Sequence, residues 1–300
     1  MGKRLRSRGS TAAVLVAAVL GGSEARGEHD ICGSARHEVE LLKLGDGDKR
    51  KGAVIYYQRR LEADEKRLLP DDPELISDHE VLVRMLERAG QSAAAEALAR
   101  KAAARAQTMP SSPRLGHALY ELGAYFSHRG AFAEAEPLLA RAVTCTDPAS
   151  EGPLSPHLAL EAHADALLAL KRYPEARGQI ERALALLKAK PRNDLSKAFL
   201  LRKLAKVLGD EGQLAAAEPA LAEAAAEVGR RMGDSYWETG ELLDDHAQLL
   251  RRLGRGADAA PLEARARKIL DAAAKNPDMD ADARKGWRSR VAQIDARRRQ

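Results

Sequence analysis

The side chains best able to do chemistry are few. His117, Tyr120, Ser127 and His128 fall on one face of a single predicted helix and form the most enzyme-like group. Hydrolysis would need a positioned carboxylate and an oxyanion hole beside such a group, and the sequence places neither. His29, Cys32 and His37 offer nitrogen and sulfur ligands close together. Their spacing suits no common metal site, and a fourth ligand is missing. His163 and His246 fall by helical phase on seams between helices, where they read as packed polar side chains rather than ligands. The chain has no phosphate-cradling glycine loop, no H-E-x-x-H and no G-x-S-x-G. The reading is non-enzymatic, with no cofactor and no metal.

The elements that carry these residues repeat. Ala53, Ala95, Ala135, Ala176, Ala217 and Ala259 recur at steps of 40 to 42 residues. Similar stretches surround them: "GQSAAAEAL" from Gly90, "GAFAEAEPLL" from Gly130, "KRYPEARGQI" from Lys171, "GQLAAAEPAL" from Gly212 and "GRGADAAPLE" from Gly254. A fixed period of this length marks a solenoid of stacked units. Each unit reads as helix, short turn, helix. Around Ala135, the spacing predicts helices over 114–129 and 132–144, with Leu115, Leu119, Leu122 and Phe126 facing Leu138, Leu139 and Ala142.

Small side chains at helix crossings let backbones approach. The beat alanines fit that role, as do Ala102, Ala142, Ala183, Ala224 and Ala266 seven residues on. Val83, Gly123, Ala164, Ala205 and Ala247 form the matching set on the first helices. Gly90, Gly130, Gly212 and Gly254 stand where a helix must end with φ > 0. Pro137, Pro219 and Pro261 are expected in the first turn of second helices, where a missing N–H costs little. The aromatic content of only 4% suits cores of alanine and leucine, and no alternating apolar pattern argues for strands.

The turn glycine, the two alanines of the second helix and the large residue between them (Leu139, Ile180, Leu221) resemble the tetratricopeptide repeat family, in the long-period variety of kinesin light chains. The stretch from Tyr56 to Leu75 resembles a second helix followed by an acidic, proline-containing linker. The resemblance implies an all-α, right-handed superhelical solenoid of antiparallel helix pairs with a C-terminal capping helix. About six units would span residues 35–274, the first degenerate, and residues 275–300 would form a basic cap. Met279 to Arg299 reads as one amphipathic helix with Ala283, Trp287, Val291 and Ile294 on one face.

The resemblance also implies a function: a scaffold whose first helices line a concave groove that receives a peptide or protein segment. Phased from the seam, the groove residues are Arg84, Arg88, His117, Tyr120, His128, Glu161, Asp165, Arg202, Lys206, Asp244, Gln248 and Arg252. Their alternating sign would select a segment of matching charge. Related repeats often hold the peptide backbone with asparagines, whereas this chain has only Asn193 and Asn276, both in expected loops.

The two ends differ from the body. Residues 1–10 carry Lys3, Arg4, Arg6 and Arg8, an apolar run ends at Leu20, and Gly21, Gly22, Ser23 and Ala25 follow. That order describes a signal peptide over 1–25, with a linker over 26–34. The expected location is periplasmic or secreted, with an uncleaved cytoplasmic protein as the alternative. The apolar run is too short to span a bilayer, so no stable membrane insertion is expected after cleavage. The net charge of +5 comes from the ends, and the repeat body is slightly acidic. A nucleic-acid groove would concentrate basic side chains on one face, and none is expected here. Arg297, Arg298 and Arg299 read either as part of the cap or as a docking site for an acidic surface. Cys32 and Cys145 lie about two repeats apart, which argues against a disulfide without settling whether both are free, and Cys145 reads as a small core residue.

Overall fold

The structure, a computed structural model, describes residues 46–146, 153–189 and 195–299. The expected signal peptide, the linker and the His29–Cys32–His37 group lie outside them. Residues 57–300 form one compact unit.

The described residues contain twelve helices and no strand. They are α1 (Asp46–Arg67), α2 (Pro73–Arg88), α3 (Ser92–Ala106), α4 (Pro113–His128), α5 (Phe132–Cys145) and α6 (Pro156–Ala169). They continue with α7 (Tyr173–Ala189), α8 (Ser196–Asp210), α9 (Leu214–Met232), α10 (Trp237–Arg252), α11 (Gly256–Lys275) and α12 (Ala281–Arg297). From α2 onward each even-numbered helix packs on the odd-numbered one that follows, and each pair packs on the next. Helix α12 closes the stack against α11. This is the solenoid of helix pairs with a C-terminal cap that the period predicts.

Local chemistry sets the boundaries. Asp72 and Ser112 accept hydrogen bonds from the backbone N–H groups of Glu74 and Leu115, at 2.9 and 3.2 Å, and a proline follows each cap. Asp280 does the same for Asp282 and Ala283 at the start of α12. The first helices end in one recurring turn. Gly90, Gly130, Gly212 and Gly254 take φ of 74° to 78°. The next N–H closes back onto Leu86, Phe126, Leu208 or Leu250 at 2.7–2.9 Å. Lys171 holds the same place between α6 and α7, with φ of 59°.

The core is alanine and leucine at crossings. All five beat alanines from Ala95 to Ala259, and the five that follow them, are fully buried. Gly123 is the tightest crossing, because a Cβ there would meet the Leu139 side chain at 2.6 Å. The core divides into clusters, one spanning α6 to α8 and a larger one spanning α8 to α12. Cys145 is buried against Gly116, as a small core residue should be.

One expectation is corrected. Pro137, Pro219 and Pro261 each sit at the sixth residue of their helices, in the second turn. The carbonyls left without a donor belong to Ala133, Ala215 and Ala257, which are exposed, so water can satisfy them.

Candidate functional site

Two clefts open between successive first helices. The larger, of about 560 Å³, lies between α8 and α10. Arg202, Lys203, Lys206, Asp210, Asp245, Gln248 and Arg252 rim it, over a floor that includes Ala205, Leu221 and Leu249. The second, of about 460 Å³, lies between α2 and α4 and is lined by Glu80, Glu87, Glu121, Arg84, His128, Arg129 and Tyr125, among others. The first has four cationic side chains against two carboxylates. The second has three carboxylates against two arginines and a histidine.

Many of these charges are paired with a side chain about one repeat away. Lys203 Nζ donates to Glu161 and Asp165, at 2.7 Å each. Arg202 reaches Asp245 at 2.7 Å and Glu241 at 3.1 Å. Arg129 and the Tyr125 hydroxyl both donate to Glu87, at 3.2 and 3.0 Å. Burial works against the Lys203 charge, but Asp165 and Glu161 outweigh it and raise its pKa. Burial also raises the Asp165 carboxyl against the pull of Lys203, so the ammonium relies on both carboxylates rather than on one tight pair. In the second cleft, burial pushes the Glu80 carboxyl up to about 7, and Arg84 only partly offsets it.

Two cations of the larger cleft are held loosely. Arg252 donates to the Gly209 carbonyl at 3.1 Å and forms no ion pair among the described residues. The Lys206 side chain is 68% exposed, with Asp210 at 3.5 Å. Gln248 donates to Asp244 at 2.9 Å.

Behind this cleft lies a closed charge network. Asp244 and Glu263 are fully buried. Arg290 of α12 bonds to Asp244 at 2.6 Å and also to Asp245. Arg297 bonds to Asp244 and, at 3.3 Å, to Glu263. Arg251 grips both oxygens of Glu263, through Nε at 2.7 Å and Nη2 at 2.8 Å, and holds its carboxyl below the usual range. The Trp287 indole N–H donates to Glu241 at 3.1 Å, and its ring lies 5.2 Å from Trp237. Trp287 and Ile294 are buried beneath these charges, as the amphipathic reading of the cap requires.

The structure thus sorts the sequence-predicted residues. Arg202, Lys206, Gln248 and Arg252 line the larger cleft, and Arg84 and His128 line the smaller. Arg88, His117, Tyr120, Glu161, Asp165 and Asp244 line neither. Asp244 is a correction: helical phase turns it toward α12, whose arginines cover it. Of the two readings of Arg297, the structure favours the cap, since it points into the network rather than outward. His163 packs with Nε2 3.2 Å from Glu136 and His246 lies near Glu218, both on seams as expected. Among the described residues no three metal-ligating side chains gather at one point. Sequence reasoning missed Lys203, Asp245, Glu241 and Arg290. Their signal is opposite charge about one period apart, as in Glu161 with Lys203 and Arg202 with Asp245.

No protein-family model matches the chain, and no curated protein matches it in sequence. Solved structures do match in fold. BtubC (BKLC) from P. vanneervenii is 18% identical with a TM-score of 0.59, over 80% of this chain and 96% of that one. The nearly identical TPR-like repeats of a kinesin light chain protein from Podosopora anserina are 21% identical with a TM-score of 0.51, over 68% and 98%. YrrB, described as a TPR protein with an unusual peptide-binding site, is 14% identical with a TM-score of 0.50, over 78% and 97%. The fold is that of a tetratricopeptide-like repeat solenoid.

Proposed function

We propose that this chain is a non-enzymatic interaction scaffold that holds an acidic segment of a protein partner in the cleft between α8 and α10. One observation carries the reading. Lys206 and Arg252 present positive charge over an apolar floor without a tight carboxylate partner, whereas Arg202 and Lys203 beside them are each gripped by two. A carboxylate side chain entering there would gain charge-assisted hydrogen bonds, and its neighbours would cover the floor. The structural match to a TPR protein with a peptide-binding site is consistent with this use.

The test is reversal of the loosely held charges. Lys206→Glu with Arg252→Glu should weaken binding of a labelled acidic peptide at least tenfold, with helicity by circular dichroism unchanged. Reversing Arg202 would be a poorer probe, because it also breaks the network behind the cleft. Unchanged affinity would move the site elsewhere. The same double variant, used beside wild type in pull-downs, identifies the natural partner as the protein that is lost. We further propose export, supported by the basic, apolar and small-residue order of residues 1–25. Fractionation with N-terminal sequencing tests it: a mature chain starting after Ser23 or Ala25 supports export, and an intact cytoplasmic one refutes it.

A further inference from the structure

We infer that α12 sets the affinity of the α8–α10 cleft for anions, with Arg290 and Arg297 as determinants that never line it. The inference rests on the acidic-partner reading above and adds its regulation. Glu241, Asp244, Asp245 and Glu263 face Arg202, Arg251, Arg290 and Arg297, so the network balances only when α12 is in place. Two of its carboxylates are shared between cleft and cap. Asp245 takes Arg202 on one oxygen and Arg290 on the other. Glu241 takes Arg202 on one oxygen and the Trp287 indole on the other.

Removing α12 withdraws two positive charges and leaves four carboxylates with two arginines. The excess negative charge then adjoins the cleft, and Asp245 is part of its rim. An anion held by Lys206 and Arg252 is repelled in that state and attracted when the cap is docked. The coupling is reciprocal, so a bound anion also favours docking. While α12 stays docked, as when only one of its arginines is neutralised, little screening intervenes, because Asp244 and Glu263 are fully buried.

The chain supplies its own reporter. Its two tryptophans are Trp237 and Trp287, which touch across the joint between α10 and α12. Intrinsic emission therefore reads cap docking.

The experiment titrates the full chain with fluorescein-labelled hexaglutamate. In wild type, saturating hexaglutamate should slow amide exchange across residues 281–297. Arg290→Gln and Arg297→Gln should each lower affinity about tenfold, a coupling of the usual size. Arg290→Lys should retain most of it, because the charge remains. Arg252→Gln should abolish binding while tryptophan emission shows α12 still docked. Wild-type affinity in both glutamine variants overturns the inference, whether or not α12 stays docked. So does unchanged exchange in α12 at saturation. Failure of wild type to bind hexaglutamate instead overturns the acidic-partner reading, and this inference with it.

Discussion

Glu80 shows how a single buried side chain constrains the smaller cleft, between α2 and α4. It is only 6% exposed, and its carboxyl titrates near 7 instead of 4.5. Between those values the folded protein holds the proton more tightly than the unfolded chain. Stability therefore falls as pH rises from about 4.5 to 7 and levels off above. Glu80→Gln should remove that loss. The variant is expected to be more stable than wild type at pH 8, by on the order of 2 kcal/mol. At pH 4.5, where the wild-type carboxyl is protonated, it should gain nothing. Urea unfolding at the two pH values, read in α2 by amide exchange, checks both halves, and an equal effect at both would refute the assignment. Individual roles of this kind were hard to see in the sequence. Phase places Glu80 and Asp244 on polar sides of their helices, yet burial depends on which neighbour covers that side. For Asp244 the neighbour is α12, whose arginines 46 and 53 residues on look like surface charge until it docks.

At the scale of elements the sequence was far more explicit. From Ala95 to Ala259 alanine spacing located the buried crossings of the second helices, because a crossing needs a small residue at a fixed phase, whereas Ala53 of α1 is only half-buried. The turns were equally legible wherever glycine marks them. The exception is the α6–α7 turn, where Lys171 adopts a left-handed conformation that costs an L-residue roughly 1–2 kcal/mol. Lys171→Gly should therefore stabilise the chain by about 1 kcal/mol, since no hydrogen bond of the turn depends on the side chain. Chemical denaturation followed by circular dichroism would show it, and a destabilised variant would mean that the Lys171 side chain contributes more than the strain costs. The prolines were misjudged by one turn although the predicted start at residue 132 was right, because the sixth residue of a helix already lies beyond the turn whose N–H groups have no partner.

For the molecule as a whole, charge carries the organisation that apolar pattern does not. The alternation of sign along the first helices could be read, but its meaning could not. Half of the predicted groove residues line the two clefts, while Glu161, Asp165 and Asp244 tie one repeat to the next. Opposite charges one period apart serve the stack, and only those left without a close partner remain for a ligand. The C-terminal basic stretch follows the same division, because Arg290 and Arg297 turn inward while Arg298 and Arg299 remain at the surface.

The near-constant period has a mechanical consequence. A helix pair joined mainly to its neighbours gives way as a unit, from an end, without taking the rest of the stack with it. Pulled by its termini, the chain should lengthen in discrete steps rather than in one rupture. Each step should release one period of 40 to 42 residues, or about 14 nm of extended backbone. Such a molecule yields and re-forms in instalments, and acts under load as a spring whose unit of extension is written in its alanines.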